Sequence, residues 1–69
     1  MVEAERLVKM ANQIAENLGF HDDADERVAD HLRRFWAPSM RQNLADYMAA
    51  GGAGLDPVVK AAVQRLVAG

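Results

Sequence analysis

Leu7, Met10, Ala11, Ile14, Ala15 and Leu18 recur at i, i+3, i+4, i+7, i+8 and i+11, the spacing of one face of an α-helix. Glu5 and Lys9 stand in the favourable i, i+4 order on the opposite face, which Asn12, Gln13, Glu16 and Asn17 continue as a polar side. A helix is expected from Val2 to Leu18, closed by Gly19 as the left-handed residue that commonly ends a helix.

The same logic divides the remainder of the chain. Asp23 with Glu26 three residues on matches a capping box, with Asp25 adding charge at the positive helix end. A second helix is expected from Ala24 to Phe35 or Trp36, with Ala24, Val28, Leu32 and Phe35 inward. Its outer face carries a ladder of opposite charges, Asp23–Arg27, Arg27–Asp30 and Asp30–Arg34. Pro38 disfavours a helical Ala37 and suits the first turn of a new helix. That helix has Met40, Leu44, Tyr47 and Met48 on one stripe and a milder side of Gln42, Ala45, Asp46 and Ala49. Gly51-Gly52-Ala53-Gly54-Leu55 breaks it. Asp56-Pro57, an N-cap followed by Pro, opens a fourth helix with Val58, Val59, Ala62, Val63 and Leu66 inward. The fold class is all-α: a small compact bundle of four short helices, one domain over residues 1–69, joined by connectors of about 2–6 residues.

A core of this size rarely supplies more than about 3–5 kcal/mol without a staple. The 69 residues include no Cys, which excludes disulfides and thiolate metal sites, and His21 and His31 cannot form a zinc site alone. Oligomerisation or docking on a larger partner remains. A chain without cysteine suits a reducing compartment. No apolar run approaches the roughly 20 residues of a membrane span. The acidic start, Met1-Val2-Glu3-Ala4-Glu5, has no signal-peptide pattern. A soluble cytoplasmic protein without membrane association is expected.

Charge is uneven. Residues 1–30 hold eight acidic and three basic side chains, whereas residues 31–69 hold two and five. Phosphate affinity comes from many cations acting together, so nucleic acid is not an expected partner. A helix-turn-helix would need a basic recognition helix, which neither the third nor the fourth segment supplies.

Chemical motifs are sparse. The Asp-rich connector lacks the Gly and terminal Glu of a calcium loop. The Gly-rich loop lacks the Lys-Ser or Lys-Thr of a P-loop, and Asp56 places a carboxylate where phosphate would sit. His31 has no triad arranged about it and reads as a packed residue. No catalytic, cofactor-binding or metal-binding residues are expected, so the chain reads as a binding module rather than an enzyme.

The densest stretch is His31-Leu32-Arg33-Arg34-Phe35-Trp36-Ala37-Pro38-Ser39-Met40-Arg41, with two of the four aromatics and three of the eight basic residues. Phe35 continues the core face. Trp36 lies off its centre beside a helix break, and Trp and Arg are the residues most enriched at interface hot spots. The partner-binding set is therefore Arg33, Arg34, Trp36, Met40 and Arg41, with Met40 adding an adaptable apolar contact.

This stretch, with Val8-Lys9-Met10-Ala11-Asn12-Gln13-Ile14-Ala15 before it and Gly51-Gly52-Ala53-Gly54-Leu55-Asp56-Pro57-Val58-Val59 after it, resembles the delta subunit of NAD-dependent, molybdenum-containing formate dehydrogenases. Ser39 stands where that family usually has Arg. The resemblance implies a small accessory subunit in a hetero-oligomeric complex, docked on the large catalytic (alpha) subunit and needed for cofactor insertion or complex stability. It implies molybdopterin guanine dinucleotide in the alpha subunit, with iron–sulfur clusters, FMN and NAD served by the companion subunits. The alternative is a free-standing helical homo-oligomer with an interaction or regulatory role.

Overall fold

The structure, a computed structural model, describes residues 3–19 and 22–68. Phe20 and His21, the start of the first helix at Val2 and the terminal Gly69 lie outside the described residues. Helix α1 runs Glu3–Leu18, α2 Ala24–Phe35, α3 Pro38–Ala49 and α4 Pro57–Ala68, and no strand occurs among the described residues. The expected all-α bundle of four short helices is what the chain forms.

Apart from Phe35 at the end of α2, each stripe read from the sequence points inward. Leu7, Ala11 and Ala15 of α1, Val28, Ala29 and Leu32 of α2, Leu44 of α3, and Val59, Ala62 and Val63 of α4 form one buried cluster. Met10, Ile14, Leu18, Met40, Tyr47, Met48, Val58 and Leu66 pack half-buried around it. The radius of gyration, 10.7 Å, matches the value of about 11 Å expected for a compact chain of this length.

Local chemistry explains the joints. Gly52 N–H donates to Tyr47 O and Gly51 N–H to Met48 O, the paired bonds of a Schellman end, with Gly51 and Gly52 at φ 132° and 64°. Asp56 then caps α4, its Oδ1 accepting from Val58 N–H at 2.8 Å. The Gly-rich loop is thus one helix end followed directly by the next helix start.

Two expected ends differ. Asp23 makes no side-chain cap bond; its Oδ1 instead accepts from Arg27 Nε at 2.7 Å, so the capping box does not form. The arginine one turn on competes successfully for the carboxylate. Gly19 is not in the left-handed region. Its lack of a side chain matters sterically, because a Cβ there would stand 2.8 Å from the Ala15 carbonyl oxygen.

Candidate docking surface

The α2–α3 corner is built by four residues, Trp36, Ala37, Pro38 and Arg41. Ala37, at φ −64° and ψ 149°, has the extended backbone that a following proline imposes, and Pro38 starts α3 at once. Trp36 folds back into the core and is only 6% exposed. Arg41, one turn into α3, points back at the end of α2. Its Nη1 donates to the carbonyl oxygens of Trp36 at 2.7 Å, Arg33 at 3.0 Å and Leu32 at 3.3 Å. A helix C-terminus carries unpaired carbonyls and partial negative charge, so a guanidinium there both pairs and neutralises it.

This placement corrects two readings of the sequence. Trp36 is a core residue, not a side chain held out to a partner, whereas Phe35 is 72% exposed instead of facing the core. The inward stripe runs Val28, Leu32, Trp36 at i+4 steps, which leaves Phe35 at its edge on the last helical residue. Of the other residues in the expected partner-binding set, Met40 is half-buried against the core and Arg41 is engaged with α2. Arg33 and Arg34 are exposed. Arg34 pairs with Asp30 at 3.1 Å in an open setting where such pairs contribute little.

His31 is half-buried, not enclosed. Its ring lies against Phe35 with centroids 4.8 Å apart and planes inclined by 44°. The exposed residues of this stretch are therefore Phe35, with the half-buried His31 against it, Arg33, Arg34 and the Ala37-Pro38-Ser39 turn.

Elsewhere the surface offers two further features. A groove of about 610 Å³ between α3 and α4 is lined by Ala45, Ala49, Val63 and Val67 among others, bringing together the mild side of α3 and the end of α4. On the opposite flank, Arg65 of α4 pairs with Asp25 of α2 at 2.7 Å. That bond holds the Asp25 carboxyl below its ordinary value and raises the Arg65 guanidinium. Among the described residues no three or more His, Cys, Asp or Glu side chains group closely enough to hold a metal ion.

Asn12 was missed as a joint. Its Nδ2 donates to Gly54 O at 2.8 Å, and its Oδ1 accepts from Asp56 N–H at 2.9 Å. One amide thereby straps the Gly-rich loop to α1. Tyr47 holds the same loop through its hydroxyl, which donates to Ala53 O. The three segments that carry the family resemblance are thus joined within one frame: the first grips the third, and the second forms the corner.

A family model described as the NADH-dependent formate dehydrogenase delta subunit FdsD matches residues 6–63. The chain belongs to this delta-subunit family. The match spans the corner, the Asn12 strap and most of α4, so the features that organise the fold lie within the family region. No curated protein and no solved structure matches the chain. Membership places the chain with a formate dehydrogenase complex. No helix among the described residues is long and apolar enough to cross a membrane.

Proposed function

We propose that the chain is a non-catalytic accessory subunit of a cytoplasmic formate dehydrogenase, docked through its α2–α3 corner on the large catalytic subunit. In this reading the molybdopterin guanine dinucleotide, iron–sulfur clusters, FMN and NAD site belong to the other subunits, and the small bundle supports cofactor insertion or assembly. Family membership carries the reading. The exposed Phe35 and two exposed arginines on a bundle this small support it, since docking supplies the stability that a minimal core lacks.

Arg33, and Arg34 on exchanging its open pair with Asp30, are the cations that meet a partner's carboxylates. Trp36 and Arg41 act one step back by building the corner, and Met40 packs beneath it. The test is to purify the dehydrogenase from cells lacking this chain and measure subunit stoichiometry and molybdenum per alpha subunit. Both should fall or the complex should dissociate, and the wild-type chain should restore them. A complete, fully loaded enzyme without it would refute the proposal.

A second reading, self-association, is favoured by the α3–α4 groove. Size-exclusion chromatography of the isolated chain distinguishes the two: a stable dimer that ignores the dehydrogenase supports the second.

A further inference from the structure

Arg41 uses only part of its guanidinium within the chain. Nη1 takes the three carbonyls at the end of α2, while Nε and Nη2 find no acceptor among the described residues. No carboxylate of the described residues pairs with this arginine either. Arg41 is half-buried, yet neither free nitrogen is sealed from solvent, because no enclosed side-chain polar atom of the described residues lacks a partner. Nε and Nη2 form the side-on fork of a guanidinium, two parallel N–H groups whose geometry matches one carboxylate.

The surface that Arg41 lines is the α3–α4 groove of about 610 Å³. Ala45 and Ala49 of α3 and Val63, Leu66 and Val67 of α4 give it apolar walls, and Val67 is 67% exposed. The other charged residue of the lining is Asp46, five positions after Arg41 and so about 7.5 Å further along the helix axis. Its carboxylate accepts from Gln42 Nε2 at 2.9 Å and repels a second carboxylate, which confines an anionic group to the Arg41 end. The charged α2–α4 flank is a separate surface, lined by Arg27, Arg33 and Arg65.

An apolar groove that meets a two-donor fork fits an apolar residue carrying its own carboxylate. The last residue of a polypeptide is such a group, with side chain and carboxylate on one carbon. An internal Asp or Glu brings its charge in place of the apolar side chain and leaves the walls without a partner. We infer that the α3–α4 groove captures the C-terminal end of a partner chain, its last residue apolar and its carboxylate held by Nε and Nη2 of Arg41. Capture of a chain-end carboxylate by converging N–H donors is a recurrent mode of peptide recognition. The inference rests on the accessory-subunit reading, since the groove begins at the residue that closes the α2–α3 corner and one partner subunit covers both. Arg41 then fixes the corner with one nitrogen and reads the partner with the other two.

The experiment titrates the isotope-labelled full chain with the peptide acetyl-Ala-Val-Leu, as the free acid and as the C-terminal amide, and follows backbone amide shifts. The free acid should move the signals of Ala45, Ala49, Gln64 and Val67. The amide, lacking the charge-assisted fork, should bind about tenfold more weakly. Val67→Asp places a carboxylate on an exposed wall position, so it should keep the melting temperature and weaken the free acid about tenfold. Equal binding of acid and amide, or no binding at millimolar peptide, overturns the carboxylate site. Octanoate binding as tightly as the peptide acid assigns the groove to small amphiphiles and overturns the chain end. A dimer of the chain that excludes the peptide puts a second copy in the groove and overturns it as well. The accessory-subunit reading stands or falls separately, on the stoichiometry and molybdenum loading of the dehydrogenase.

Discussion

Arg41 Nη1 donates to the carbonyl oxygen of Trp36 at 2.7 Å, so the first turn of α3 seals the end of α2. The same nitrogen reaches the carbonyls of Arg33 and Leu32, and the corner closes around one cation. That relationship makes a residue expected to meet a partner part of the frame of the corner.

Removing the clamp should loosen the whole corner. Arg41→Ala leaves carbonyls at the α2 end without their cation, and hydrogen bonds to charged groups contribute about 1.5–3 kcal/mol. Arg41→Lys should recover part of this, because an ammonium reaches the same end without the guanidinium's spread of donors. Urea denaturation of the three proteins should rank them wild type, Lys, Ala. A lysine variant as stable as wild type would show that charge alone suffices.

The two adjacent aromatics should respond in opposite ways. Trp36→Ala opens a core cavity and should cost about 3–5 kcal/mol. A chain of this length commands only about 3–10 kcal/mol in total, so much of the population should unfold at physiological temperature. Phe35→Ala removes an exposed ring and should change stability by less than about 0.5 kcal/mol. Circular dichroism melting curves decide between this order and its reverse.

Asn12 should be worth more than a polar surface residue. Asn12→Ala frees both Gly54 O and Asp56 N–H and should cost about 1–2 kcal/mol, a drop in melting temperature of roughly 4–16 °C. Asn12→Asp keeps the acceptor for Asp56 N–H, loses the donor to Gly54 O and brings a second carboxylate near Asp56. Hydrogen exchange at Asp56 should accelerate more in the alanine variant than in the aspartate variant.

The two helix starts should not be equivalent. Asp56→Ala removes a formed N-cap and should cost about 1 kcal/mol, within the range measured for such caps. Asp23→Ala removes an exposed ion pair with Arg27 and no cap bond, so its cost should be smaller. Equal losses in thermal melts would contradict the observed geometry.

Acid should weaken the α2–α4 flank. The hydrogen bond from Arg65 holds Asp25 below its ordinary 3.8 when the chain is folded. A carboxyl depressed in the folded state contributes stability above its unfolded pKa and loses it as pH falls through the folded value. Wild type should therefore exceed Asp25→Asn in stability at neutral pH, and the gap should close below about pH 3.8. Urea midpoints across that window measure it.

Much of the framework was legible from local patterns. The Pro38 break, the Asp56-Pro57 start and the Gly-rich joint are encoded by residues whose backbone preferences act over a few positions. The corner was legible as a place, from its aromatics and arginines, but not in the roles of its side chains. Asn12 carried no local signal, because its partners lie 42 and 44 residues away.

By itself the sequence determined four helices, their limits to within a residue or so at most ends, and which stripe of each turns inward except at the end of α2. Those outcomes come from helical period, proline geometry, glycine freedom and side-chain caps, all of which are local. Only the tertiary structure decided between Phe35 and Trp36, since i+3 and i+4 from Leu32 both continue a helical stripe. The core at the end of α2 takes Trp36, 6% exposed, and leaves Phe35 out. With the indole inside, the phenyl ring stays out beside His31, and Arg41 is drawn to the carbonyls that the turn leaves uncovered.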